Sequence, residues 1–311
     1  MSPQKNYSRR HFFKLSALTT AGIGLAGITK ANILAAEKDE ARRLPYKIGM
    51  RQASLCNPGD PKKKMIANFD TFQVARDISG IDGVELQVAS GNPNMLYDFD
   101  VARRYKAEAH KWGLDIPSTA GVWGKGAWNP AAVEELTNAI RATEIVGASV
   151  MLIAFFGKSA PSLSDAAFYD RVVSILREVA PRAKDAGVVL GLENSLSPAD
   201  NKTLVDRIGD PQVKVYYDPE NMFNFGHPEE AVPGIKILGK ERIAAVHLKN
   251  NGRLLSDNWR VDWVKALHEL TDIEYEGWLT FETDHQNHES CIAETEKNIA
   301  FIKSHFQPPV A

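Results

Sequence analysis

Cysteine is scarce in this 311-residue chain: Cys56 and Cys291 are its only two. Two thiols cannot staple a small disulfide scaffold, nor make a zinc knuckle by themselves. An excess of either charge is also lacking, since 37 Lys and Arg face 39 Asp and Glu for a net charge of −2. Neutralising a phosphate backbone requires a basic surplus, so nucleic acid is not an expected partner. Beyond the extreme N-terminus no run of eighteen or more uncharged apolar residues occurs, which excludes an internal helical membrane span. Low-complexity tracts are missing, as is any repeat beyond the spacing of strands and helices described below. What is present, 44% apolar and 9% aromatic residues, is the composition of a globular protein with a sizeable core.

The N-terminal segment reads as an address. Ser8-Arg9-Arg10-His11-Phe12-Phe13-Lys14 precedes a weakly apolar stretch from Leu15 to Thr29, with no charge until Lys30. This arrangement resembles a twin-arginine export signal. Residues 1–36 are expected to be this signal, with the boundary near Ala35 or Ala36, and the protein is expected in the periplasm. An uncleaved signal would be its one link to a membrane. The twin-arginine route carries folded proteins, so a metal site can be loaded before periplasmic copper competes for it.

Residues 45–307 carry the fold. Apolar, β-branched runs bounded by Gly, Pro and Asp begin near Tyr46, Gly83, Leu114, Ser149, Val188, Val213, Ile243 and Trp278. They lie on average about 33 residues apart, the length of one strand-helix unit. Asn129-Pro130 is a helix start, followed by Val133, Leu136 and Ile140 on one face and a stop at Gly147. Ser164-Asp165 opens a second helix that carries Val172, Val173, Leu176 and Val179 and ends at Gly187. A last helix runs from about Glu289 to His305. Eight such units predict a single-domain α/β fold, a (β/α)8 TIM barrel, which typically takes about 250 residues. A doubly wound open sheet is the alternative.

Four successive strands end on a metal-ligating residue: Glu193, Asp218, His247 and Glu282. Three carboxylates and an imidazole suit Mn²⁺, Mg²⁺, Co²⁺ or Zn²⁺. In an open sheet the outer two of four adjacent strands would stand about 14 Å apart, at roughly 4.8 Å per strand. Ligand bonds of about 2 Å cannot bridge that gap, whereas closing the sheet gathers the four ends around one point. A charge closing an apolar strand is also costly to bury unless paired or bound to metal.

On these residues the chain resembles the xylose-isomerase-like TIM-barrel superfamily of sugar isomerases and epimerases, with a metal site like that of the ketose 3-epimerases. The resemblance implies one divalent ion held by Glu193, Asp218, His247 and Glu282, with Glu193 and Glu282 as the acid/base pair on opposite faces of a sugar. It also implies that Arg253, six residues past His247, binds substrate oxygen. The chain departs from the pattern three residues past Asp218, where Asn221 replaces a substrate-binding histidine. An amide binds a hydroxyl but does not carry a proton through pH 7.

The chemistry that unites these groups is removal of a proton next to a carbonyl, with the resulting enediolate stabilised by a metal. Return of the proton on the opposite face inverts a centre, return at the neighbouring carbon moves the carbonyl, and loss of a β-leaving group makes a lyase. Export, and the lack of a Gly-rich phosphate loop, point to an unphosphorylated or keto-sugar substrate. A keto-sugar, keto-glycoside or inosose lyase is the runner-up; a zinc-dependent apurinic endonuclease and a non-catalytic sugar-binding barrel are weaker readings. Lys249 shares the face of His247 and is assigned either to an oxyanion or to a salt bridge with Asp218 or Glu220. Glu85 and Gln87 share a face of the second strand and meet either the sugar or a hydrogen-bonded barrel interior. Trp123 is assigned to a sugar-stacking wall, and Phe155 and Phe156 either to that wall or, preferably, to core. Lys158 and His285 fall in loops of the same mouth, and Asn194 and Asp284 are candidates for orienting ligands. Cys56 and Cys291 are expected as buried thiols rather than a disulfide. Assembly into a homo-oligomer is left open.

Overall fold

The computed structural model describes residues 44–65, 68–87, 95–120, 128–129 and 131–306. Eight parallel strands close into a barrel: β1 (Lys47–Arg51), β2 (Gly83–Gln87), β3 (Ser118–Ala120), β4 (Val150–Phe155), β5 (Val189–Asn194), β6 (Val213–Tyr217), β7 (Ile243–Leu248) and β8 (Trp278–Phe281). The last strand pairs with the first, Lys47 opposite Trp278 and Met50 opposite Phe281. The fold is thus the (β/α)8 TIM barrel, and the open sheet is excluded. A small antiparallel hairpin, Cys56–Asn57 with Asp60–Lys64, decorates the mouth after β1. No helix among the described residues is long and apolar enough to cross a membrane.

Strand alternation decides which side chains enter the barrel. Val246 and Leu248 of β7, Val215 and Tyr217 of β6, and Leu279 and Phe281 of β8 point outward, into the main core against the helices. The residues between them point inward, where Ala120, Val150, Leu152, Tyr216 and Ala245 form a small separate cluster. The inward parity then continues to Arg51, Glu85, Glu193, Asp218, His247 and Glu282 at the C-terminal ends of their strands. Apolar packing fills the lower barrel and leaves polar groups for the mouth.

The helices start and stop on their capping residues. Asp165 accepts a hydrogen bond from Phe168 N and opens Ala166–Ala186, which ends at Gly187 with φ 69°. Asn129 Oδ1 accepts from Ala131 N at the start of Ala131–Val146. The last helix is His288–His305, capped by Asn287.

One strand starts later than the apolar pattern predicts: β3 begins at Ser118, not near Leu114. Asp115 makes an isolated bridge to Gly83, and Pro117, which has no N–H, keeps the ladder from running through it. Gly83 is held closely there. A β-carbon on it would lie 2.7 Å from the Asp115 carbonyl oxygen and 3.0 Å from both Pro117 Cδ and Trp278 Cη2. That carbonyl already accepts the Val84 N–H at 3.0 Å, so it cannot withdraw freely. Gly83→Ala is therefore expected to destabilise the barrel by about 1–3 kcal/mol, read from the midpoint and slope of urea unfolding. An unchanged midpoint would show that this end of the barrel relaxes without cost.

Cys56 and Cys291 are buried thiols, as expected. Their sulfurs donate to the carbonyls of His285 and Ser54 at 3.7 and 3.8 Å.

Candidate metal centre

The closed barrel brings Glu193, Asp218, His247 and Glu282 together, with one ligand atom from each all within 4.8 Å of one another. His247 is the hub. Its Nδ1 lies 3.3 Å from Glu193 Oε1 and 3.2 Å from Glu282 Oε2, and its Nε2 lies 3.2 Å from Glu85 Oε1. Asp218 also caps the short helix Pro219–Asn224: its Oδ1 accepts from Glu220 N at 2.9 Å and Asn221 N at 3.2 Å. Its Oδ2 stays buried with no hydrogen bond, 2.6 Å from its ion-pair partner Lys249 Nζ.

Lys249 ties the cluster together. Its ammonium donates to Glu282 Oε2 at 3.0 Å and Asn221 Oδ1 at 3.1 Å, and Asn221 Nδ2 donates to Glu193 Oε1 at 2.9 Å. Asn221 therefore links a glutamate to the lysine through the two ends of one amide. Of the salt bridges expected for Lys249, the one to Asp218 is observed, together with one to Glu282. Glu220 lies elsewhere, bound by Arg260 Nη1 at 3.0 Å and by Asn251 N at 2.7 Å.

Charge and donor set fit a divalent cation. Four carboxylates, Glu85, Glu193, Asp218 and Glu282, face two permanent cations, Arg51 and Lys249, so the buried group carries an excess of two negative charges. A neutral His247 leaves that deficit for a divalent ion to cancel, and the buried Asp218 Oδ2, whose one close partner is the Lys249 ammonium, is a suitable ligand. Without the ion, protons and neighbours compensate. Burial opposes protonation of His247, but Glu85 and Glu193 outweigh it and raise its pKa to about 9. Burial would raise Glu193, yet His247, Lys249 and Arg51 hold it below the usual carboxylate range. Asp218 moves the other way, raised by burial and by Glu193 against the pull of Lys249 and His247.

The remaining expectations divide. Glu85 is fully buried beneath His247, with Ser118 Oγ at 2.6 Å and Tyr216 OH at 2.8 Å donating to its Oε2. Of its two readings the hydrogen-bonded interior is the observed one. Arg253 is not drawn into the cluster: it is exposed, its guanidinium lying over the Trp259 ring at 4.2 Å. The six-residue offset past His247 sets the position of Arg253 in its loop and not the direction of its side chain, which here goes to Trp259. Trp123 lies outside the described residues. Phe155 is core, edge-on to Trp128, while Phe156 stacks on Phe225 at 5.2 Å and is half-buried. Asn194 pins its own loop, through Asn201 Oδ1 and Leu196 N, rather than a ligand. His285 is held between Thr283 Oγ1 and Glu294 Oε2, and Lys158 is exposed. Asp284 is exposed in the cleft, beside Glu282 in sequence.

Sequence reasoning missed two residues. Arg51 at the end of β1 ion-pairs directly with Glu282 Oε1 and lies 3.6 Å from Glu85 Oε1. Arg260 lines an open cleft of about 460 Å³ with Glu220, Asn224, Lys249 and Glu282, the last of these being the one cluster residue on its wall. The signal for Arg51 was available: it closes an apolar strand on the inward parity, as the four ligands do. Arg260 lies on a loop, where no such periodicity exists.

Sequence comparison agrees with this architecture. The chain belongs to the xylose isomerase-like TIM barrel family, whose profile matches residues 72–305. It is 29% identical over 153 residues to a 2-epi-5-epi-valiolone 7-phosphate 2-epimerase from Actinoplanes sp., a match that covers 47% of this chain and only 56% of that relative. Among solved structures, a 3-keto-D-glucoside 4-epimerase from E. coli superposes with a TM-score of 0.64 at 16% identity, over 83% of this chain and 99% of that one. A D-allulose 3-epimerase from Methylomonas sp. gives a TM-score of 0.63 at 17% identity, over 85% and 99%. At such identities the structural likeness shows the shared fold.

Proposed function

We propose that the protein is an exported, divalent-metal-dependent sugar epimerase or isomerase that moves a proton beside a carbonyl of an unphosphorylated or keto-sugar. The observation that carries this reading is the cluster itself: two glutamates, an aspartate and a histidine converge, and one of them, Glu282, lines an open cleft of about 460 Å³ together with Lys249. The names of the three proteins reported above, each an epimerase, support the reaction class. The Arg9-Arg10 segment supports export.

Glu193, Asp218, His247 and Glu282 would hold the ion, which would supply Lewis-acid polarisation of the carbonyl. Glu193 and Glu282 are the proton-transfer groups: one carboxylate removes the proton from the carbon next to the carbonyl, and the other delivers one to the opposite face. Asn221 and His247 orient Glu193, and Arg51 and Lys249 orient Glu282. Lys249, half-buried and lining the cleft, would neutralise the developing oxyanion. Arg260 and Glu220 on the cleft wall offer a donor and an acceptor to sugar hydroxyls.

Asn221 favours a second reading. Where the ketose epimerases carry a histidine, this chain has an amide committed to Glu193 and Lys249, and a lyase that expels a β-substituent starts from the same proton abstraction. Proton NMR in D₂O, with the Mg²⁺- or Zn²⁺-loaded protein and a panel of ketoses, aldoses and 3-keto-glycosides, tests both. Deuterium beside the carbonyl of an isomeric product is the expected result. Deuterium with a released aglycone or an unsaturated ketone would make the protein a lyase, and no exchange with any carbonyl sugar would overturn the reading.

A further inference from the structure

We propose that Glu85 is a positioning residue that selects the tautomer of His247, holding the Nε2–H and so turning the Nδ1 lone pair toward the ion. The inference rests on the metal reading of the cluster and adds a residue that never meets the substrate.

Neutral imidazole has one N–H and one lone pair, and an ionised carboxylate only accepts. The nitrogen that faces a carboxylate from which no ion screens it must therefore carry the hydrogen. Nε2 is in that position, 3.2 Å from Glu85 Oε1, while Nδ1 faces the two glutamates of the ligand cluster, 3.3 and 3.2 Å away. The opposite tautomer would set the Nε2 lone pair against a carboxylate oxygen deep in the barrel.

Glu85 cannot turn aside. Ser118 and Tyr216 both donate to its other oxygen, and Arg51 Nε stands 3.6 Å from Oε1. At 0% exposure it has no route to the cleft. The Tyr216 ring lies against the imidazole with centroids 4.4 Å apart, which hinders a ring flip. Gly191 makes room for that tyrosine, since a β-carbon there would lie 3.1 Å from its ring. Residues from β1, β2, β3 and β6 thus set the orientation of one side chain on β7. A carboxylate behind a ligating histidine commonly strengthens metal affinity, and its removal costs about 10–100-fold.

The test uses the full-length chain and its Glu85→Gln variant. Glutamine can present either its carbonyl or its NH₂ to Nε2, so it tolerates both tautomers. Calorimetric titration with Mn²⁺ is expected to show affinity lowered about 10–100-fold in E85Q. Long-range ¹⁵N–¹H NMR of the histidine-labelled, Zn²⁺-loaded wild-type protein is expected to show His247 protonated at Nε2 and ligating through Nδ1. This second measurement stands even if E85Q fails to fold. Ligation through Nε2, or E85Q affinity within twofold of wild type, would overturn the proposal while sparing the metal centre. A wild-type chain that binds neither Mn²⁺ nor Zn²⁺ would overturn the metal centre and this inference together.

Discussion

Glu282→Gln is expected to lower epimerisation by at least about 10³-fold, the upper range for loss of a positioned general acid or base. Glutamine keeps the size and one carbonyl oxygen of the side chain but cannot take up a proton. If two carboxylates work on opposite faces, the loss has a direction. E282Q should still exchange the labile hydrogen of one epimer for solvent deuterium through Glu193, returning it to the same face, without forming the other epimer. Glu193→Gln should show the mirror pattern, exchanging only the second epimer. Exchange followed by NMR from each epimer separately distinguishes this from a one-base reaction, in which one variant would abolish exchange from both. Because Glu282 also answers the Arg51 and Lys249 charges, metal affinity and unfolding midpoint should be measured on the same samples. Full turnover by either variant would refute the acid/base assignment.

Divalent-metal affinity is expected to rise about tenfold per pH unit from pH 6 to 8, roughly 100-fold in all, with about one proton released per ion bound. The cause is His247, held protonated by Glu85 and Glu193 up to about pH 9 while the site lacks its ion. An imidazole must lose that proton before it can ligate, so ion and proton compete. Titration calorimetry in buffers of different ionisation enthalpy counts the proton directly, and His247→Ala should remove most of the pH dependence. The linkage has the opposite sense for the ion-free protein. With its pKa raised on folding, His247 stabilises the fold fully below its unfolded pKa of about 6.5, and this contribution fades as pH rises through about 9. Affinity that is flat over this range, with no proton release, would show that the ion does not displace the His247 proton.

Much of the architecture was legible along the chain. Apolar runs separated by capped helices repeat because each strand-helix unit must bury one face of each element, and that periodicity is local. Seven of the eight strands begin within a residue of where the apolar pattern places them, and the exception is traceable to Pro117. The ligand set was legible for a different reason. Glu193, Asp218, His247 and Glu282 are costly groups at the ends of apolar strands, and the cost of burying charge marks them out. Arg51 obeys the same rule, but a search confined to ligands passes over a cation.

What the sequence by itself determined is therefore which residues share a face of each strand, because the alternation of side chains along a strand has a period of two and is local. The tertiary structure decided who meets whom. Closure of β1 onto β8 brings Arg51 to Glu282, and the width of the barrel lets Glu85 on β2 reach His247 on β7. Those pairs are separated by 231 and 162 residues, and their contact depends on strand order and barrel diameter rather than on any local pattern. Loops follow neither rule. Arg253 and Arg260 lie seven residues apart in one connection, yet one stacks on Trp259 and the other lines the cleft, held there by Glu220 and Asn224 from the preceding connection.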